Sequence, residues 1–351
     1  MSNAAATIHW DSGTAYDFFI SCYVLHNPDQ FSLRGAWAAG VRSRLPSEAR
    51  ETMELAASLV ILPFAWIYGL PQPRDGRAVL RELATLEPVE RVKRLTYNPY
   101  SPYHAGTTEI MARVMAAGQW NEADLKELQA DRSRQGGWFK RDLKLLLSCW
   151  AEPEPFADRY LQGLTAYHET FFAEEEKRIA PALQAALDHA CRLATELPVT
   201  ALLEELSQGV RYTDEPRLAE LALAPSFWIT PLLIRSYVGI NRELFLFGGR
   251  PANASLVPGE LVPDALFQSL KALADPTRLR ILRYLTQEPL TPSELAQRLR
   301  LRAPTVIHHL HALRLAGLVY LSFEAKEKRY AARSQAVEAT FSALSQFLAE
   351  T

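Results

Sequence analysis

Apolar positions along the first two hundred residues fall mostly at intervals of three and four, the spacing of one helix face. Ala15, Tyr16, Phe19, Ile20 and Tyr23 mark a helix that starts at Asp11 or Ser12 and ends before Asn27-Pro28. Trp37, Ala38 and Val41 mark a second piece. Pro46-Ser47-Glu48 opens a third helix, which runs into the apolar stretch ending at Tyr68. Helices are predicted over 78–86, 89–95, 107–117, 122–134 and 138–150, with a breaker-rich loop at 98–104. Residues 158–196 read as a long helix divided at Pro181, and 202–207 as a short one. The period then changes. Residues 5–9, 218–224 and 244–247 read as strands, and 227–237 as a mixed apolar run around Pro231. A small antiparallel sheet fits 218–247. The Gly- and Pro-rich stretch 248–259 reads as a domain boundary, which gives domains at 1–255 and 260–351.

Helix signals are sharpest after that boundary. Asp264 can cap a first helix. Asp275 caps the next, which opens at Pro276 and carries Leu279, Leu282 and Leu285 on one side. Thr291, Pro292 and Glu294 repeat the start signal as a capping box. A third helix opens at Pro304, keeps Val306, Leu310 and Leu313 together, and stops at Gly317. Residues 320–323 and 328–330 pair as a hairpin, and 337–348 form a closing helix with Phe341, Leu344, Phe347 and Leu348 on one stripe. Three short helices followed by a hairpin make a winged helix-turn-helix. The expected fold is mainly α with minor β: a helical N-terminal domain carrying a small antiparallel sheet, then the winged helix.

The segments ADPTRLRIL, SELA, PTV-HHL and LRLAGLV, in that order, resemble the ArsR family of winged-helix transcriptional regulators. The resemblance covers about the last quarter of the chain. It implies a homodimer on double-stranded operator DNA, dimerised through the outer helices, and repression more than activation. The Phe341/Leu344/Leu348 stripe then either forms that dimer or packs on the N-terminal domain. Early segments, from Trp10-Asp11 through the Trp37 piece and again at Ala224-Pro225-Ser226, loosely resemble an N-terminal domain fused to some ArsR-type regulators. That likeness supplies no activity.

Charge supports the same reading. Residues 268–334 hold twelve Lys/Arg against five Asp/Glu, a surplus of seven, within a chain of net charge -2. A basic module on an acidic body is the electrostatic footprint of a nucleic-acid binder. Arg298, Arg300 and Arg302 cluster before the third helix and would meet phosphates, while Lys326, Lys328 and Arg329 on the hairpin would lie along the backbone or minor groove. The family resemblance turns Arg302, Ala303, Thr305, Ile307 and His308 toward bases or phosphates; His309 and His311 share that helix. Polar residues are common in the family where Ala303 and Ile307 stand. Apolar side chains there offer contact to thymine methyls in place of hydrogen bonds.

Other chemistries find little support. Cys22, Cys149 and Cys191 form no CxxC pair, which argues against a disulfide framework or zinc ribbon. The cysteine and last-helix Asp/His ligands of metal-sensing relatives are missing, so no metal and no cofactor is expected. The apolar run 55–70 is shorter than the ~20 residues a membrane span needs and is broken by Pro63. With no secretory signal, a cytoplasmic protein is expected. No GxGxxG, P-loop, GxSxG or HExxH occurs, so an enzyme fused to a DNA-binding tail is the weaker alternative. The N-terminal domain is either a sensor for a small-molecule effector or a scaffold for a protein partner. Tyr16, Phe19, Tyr23, Trp37, Trp66, Tyr100 and Tyr103 either line an aromatic pocket or fill an ordinary core.

Overall fold

A computed structural model describes residues 7–31, 33–101, 105–133, 142–211, 220–324 and 327–349. The architecture is mainly helical, as expected, but the N-terminal sheet is not the antiparallel ribbon read from the sequence. Strands β1 (Thr7–Trp10), β3 (Glu220–Ser226) and β5 (Arg242–Gly248) run parallel, and β4 (Ile234–Tyr237) alone pairs antiparallel, with β5, in the order β1-β3-β5-β4. The composition of β3 and β5 explains this. Leu221, Leu223, Phe245 and Phe247 face one layer, while Ala222, Ala224, Leu244 and Leu246 face the other, and all eight are buried. Strands covered on both faces are continuous apolar runs and suit parallel pairing between helical layers. A second sheet, in the order β2-β6-β7, joins β2 (Val210–Arg211) to the C-terminal hairpin of β6 (Val319–Glu324) and β7 (Glu327–Ala332).

Helices pack on both sides of the first sheet. Val199–Leu206 and the end of Ala173–Glu196 cover one face through Ala190, Leu202, Leu203 and Leu206. The larger core lies on the other face, where Pro153–Tyr167 packs on Ser47–Ala57 and Pro88–Thr96. The apolar stretch 55–70 is not one continuous helix. Helix Ser47–Ala57 stops, and a separate turn of helix, Phe64–Tyr68, follows Pro63. Pro181 does not divide the long helix either; it sits inside Ala173–Glu196. The irregularity lies earlier, in a π-helical turn at His168–Phe172 that puts His168, Phe171 and Phe172 inward. No described helix is long and apolar enough to cross a membrane.

The carboxyl ends of the parallel strands are where open α/β sheets hold ligands. Here the chain closes that edge with its own polar groups. Asp11, after β1, takes hydrogen bonds from Tyr16, Gln72 and Arg74. Ser226, at the end of β3, donates to Asp17 at 2.7 Å. Glu175 accepts from Trp228 Nε1 at 3.0 Å and from Arg178, and Arg178 also donates to the Ser255 and Leu256 carbonyls. Arg250, after β5, is buried 3.7 Å from Asp264, and burial lowers its pKa to about 10.

Candidate nucleic-acid interface

The C-terminal module is built by local signals. The Asp275 carboxylate accepts the Arg278 N–H at 2.8 Å, with Pro276 in the first turn of Pro276–Leu285. Thr291 Oγ accepts the Glu294 N–H at 3.2 Å while the Glu294 carboxylate accepts the Thr291 N–H at 2.7 Å. This reciprocal pair starts helix Pro292–Leu299. Arg300 ends that helix in the left-handed conformation (φ 55°) and turns the chain into the recognition helix Ala303–Leu315. Gly317 (φ 67°) then releases it into β6. Asp264 departs from its expected role. Pro263 is the cap, and the Asp264 carboxylate instead accepts the Leu256 N–H at 2.7 Å.

One core fixes the orientation of these helices. Ile281, Leu282 and Leu285 pack with Leu295, Leu299, Val306, Leu310, Leu313 and Leu318. Leu279, expected on that inner face, is exposed, and Ile281 takes the inward place. Burying Val306, Leu310 and Leu313 leaves Pro304, Thr305, Ile307 and His308 on the outside; Ile307 is 53% exposed. Ala303 is half-buried at the helix start. His309 and His311 are less exposed than His308. His309 Nδ1 lies 3.9 Å from the Asp275 carboxylate, both rings are partly buried, and burial lowers both imidazole pKa values. At 100° per residue His309 lies between Thr305 and the buried Val306, whereas His311 lies beside Pro304 on the outer side.

The basic residues divide into two groups. Arg300, Arg302 and Lys328 are exposed. Arg298 is held by Glu288 at 2.7 Å, and Arg329 by Glu294 and the Pro289 carbonyl, each at 3.3 Å. Lys326 lies outside the described residues.

The aromatic residues singled out in the body do not converge. Tyr16 and Phe19 are core; Tyr16 packs edge-on to Phe64, and Phe19 edge-on to Phe18. Trp37 packs against Phe171 and Trp228, and Tyr23 against Phe31. Trp66 and Tyr100 do line one cleft, of about 290 Å³, with Phe64, Arg94 and Tyr97. Tyr103 lies outside the described residues. Large aromatic rings bury more surface than any other side chain, and the body, with helices on both faces of its sheet, has room for them in its core.

Sequence reasoning missed how this module meets the body. Arg314 is buried on the recognition helix and donates to the Ser207 carbonyl at 2.7 Å and the Gln208 carbonyl at 3.3 Å. No local signal marked it, because the groups that bury and bond Arg314 come from more than a hundred residues earlier in the chain.

Comparison with known proteins agrees with the geometry. Residues 273–320 match a family model described as "Helix-turn-helix domain". The HTH-type transcriptional regulator CmtR of Mycobacterium tuberculosis (strain ATCC 25618 / H37Rv) is 43% identical over 72 residues, which cover 20% of this chain and 61% of CmtR. The chain thus spans less than two thirds of the curated relatives it matches. Among solved structures, HlyU from Vibrio cholerae N16961 is 34% identical, with 24% of this chain and 94% of that one covered, at a TM-score of 0.21. NolR from Sinorhizobium fredii is 31% identical over 24% of this chain and 83% of that one, TM-score 0.21. An ArsR family transcriptional regulator, RHA00566, is 28% identical over 25% and 94%, TM-score 0.22. The family model falls wholly after residue 255 and does not extend into the body.

Proposed function

We propose that this chain, which ends in an ArsR-type winged helix-turn-helix, is a transcriptional regulator that binds operator DNA as a homodimer. The observation that carries the proposal is the outer face of the recognition helix. Thr305, Ile307 and His308 stand exposed there, with Arg300 and Arg302 at its start and Lys328 on the hairpin. A helix in the major groove needs such a face, and flanking cations on phosphates set its register. Ile307 and Ala303 favour methyl contact over bidentate hydrogen bonds, so affinity rests heavily on backbone contact.

Two copies read two half-sites about one helical turn apart. Phe341 and Leu348 on the closing helix support this, since both are exposed and available to a second copy. The body, residues 1–255, acts as the effector-responsive part. The cleft bounded by Trp66 and Tyr100 supports this role, and a repressor released by a small molecule is the reading we adopt.

Electrophoretic shift on duplex from upstream of the protein's own gene, beside a scrambled duplex of equal length, tests the proposal. A retarded band on the first at salt that abolishes the second is the expected result. Equal binding to both, or to neither at low salt, overturns it.

A further inference from the structure

We infer that the body is a structural part of the DNA-reading surface: its segment Ser207–Arg211 sets the angle between recognition helix and wing. The inference rests on the reading of the module as a DNA binder.

The first observation is a strand. Val210 pairs with Leu321 and Arg211 with Ser322, in parallel, and the Leu321 N–H donates to the Gly209 carbonyl at 2.8 Å. The outer edge of β6 is therefore occupied by the body. An open edge leaves its N–H and C=O groups unpaired, so covering one fixes the hairpin's position.

The second is a helix end. Val199–Leu206 finishes at Ser207, where the Gln208 and Gly209 N–H groups close back on the Glu205 and Glu204 carbonyls and leave the Ser207 and Gln208 carbonyls facing the module at the negative end of the dipole. Two guanidinium groups of the module bond these two carbonyls. Arg314 donates to the Ser207 and Gln208 carbonyls, and Arg333, just after β7, donates to the Gln208 carbonyl at 2.9 Å and the Gly317 carbonyl at 3.0 Å. Arg211 and Arg333 also lie over the ring of Tyr320 on β6, at 3.6 and 5.3 Å from its centroid. Leu315, one residue beyond Arg314, packs with Ile229 and Leu232 of the body.

The third is the backbone that permits this. Gln208 (φ 53°) and Gly209 (φ 111°) turn the chain from helix into strand in consecutive left-handed conformations. A Cβ at Gly209 would stand 3.1 Å from Arg333 Cδ and 3.2 Å from Tyr320 Cδ1. Only glycine fits the turn without moving the wing.

These contacts seize the end of the recognition helix and the first wing strand together. A body that changes shape must either carry both along or let go of both. Arg314, Arg333 and Gly209 are thus positioning residues, which act on DNA through the helix and wing without touching it.

The test uses the full chain and two variants from opposite sides of the seam, Arg314→Met and Gly209→Ala. Affinity is measured by anisotropy for a duplex that the wild type selects from a randomised pool, and for a scrambled duplex, across a salt series. The expected result is about a tenfold or greater loss on the selected duplex, with scrambled-duplex affinity and salt slope unchanged, since no phosphate contact is removed. A loss shared equally by both duplexes marks ordinary destabilisation and overturns the inference, as does no loss. Should either variant fail to fold, amide exchange in the wild type decides: the Leu321 N–H must gain protection when the selected duplex binds, and an unchanged rate overturns the inference. If the wild type selects no duplex at all, the DNA reading itself has failed.

Discussion

The Asp17 carboxylate, on the first helix, accepts the Trp228 backbone N–H at 2.9 Å, and with it the Phe227 N–H and Ser226 hydroxyl at the end of β3. The group is wholly buried, and burial raises its pKa to about 6 against three hydrogen bonds and in concert with nearby Glu175. The folded state therefore holds this proton more tightly than the unfolded chain. Its stabilising effect is complete below the unfolded value of about 3.8 and is lost as pH rises through about 6. Asp17→Asn removes the titration. The variant's stability relative to wild type should rise by on the order of 1 kcal/mol between pH 5 and pH 7, read from urea midpoints at each pH. A difference that stays flat across that range means Asp17 does not titrate there.

Local chemistry was legible in the sequence, and long-range pairing was not. Asp275-Pro276 and Thr291-Pro292-x-Glu294 start helices because each cap involves residues three apart, and a reader of the chain sees both partners at once. The parallel pairing of β1 with β3 joins Trp10 to Leu223 across most of the body, and no periodicity encodes it. The described part of β2, Val210–Arg211, is too short for any alternation to register. The aromatic residues misled for a different reason. Tyr16, Phe19 and Trp37 have the composition of a pocket and of a core equally, and only the packing of Phe18, Phe171 and Trp228 around them decides. On helix Ala303–Leu315, the helical angle separated Thr305 and His308 from Val306 and Leu310 without help. Nothing local showed that Asp275 would draw His309 aside.

The capping box should carry measurable stability. Thr291→Ala removes the acceptor of the Glu294 N–H, while the return bond from the residue-291 N–H to the Glu294 carboxylate is kept. Loss of such a cap costs about 1 kcal/mol, within a range of roughly 0.5–2. Thr291→Ser keeps the hydroxyl and should recover most of the loss. Chemical denaturation of the three proteins checks this, and equal loss in Ala and Ser variants would point to packing of the methyl group instead.

Cations in the module should not contribute equally to DNA affinity. Arg300, Arg302 and Lys328 are exposed, whereas Arg298 must leave Glu288 and Arg329 must leave Glu294 before meeting a phosphate. Changing Arg302 or Lys328 to Gln should lower the salt slope of binding by about 0.9 each. Arg298→Gln should lower it less, and Glu288→Gln should raise affinity by freeing its partner. Anisotropy titrations over a salt series give all four slopes. Identical slopes for Arg298→Gln and Arg302→Gln would remove the distinction.

Dimerisation should depend on the closing helix. Ser334–Ala349 packs on Asp264–Leu273, yet Phe341 is 55% and Leu348 71% exposed, and Phe267 on the partner helix is also exposed. The stripe thus does not pack on the N-terminal body, the other use its sequence allowed. Burying large apolar side chains at about 25 cal/mol per Å² drives association strongly enough to justify such a face. Phe341→Glu with Leu348→Glu places two charges where a second copy would desolvate them, while neither side chain is needed by the module's own core. Sedimentation equilibrium should give a dimer for the wild type and a monomer for the double variant, with unchanged circular dichroism. Duplex binding should weaken at least tenfold, because one module spans a single half-site. If the variant stays dimeric, the subunits meet elsewhere; if it is monomeric and binds as well as wild type, DNA recognition needs only one copy.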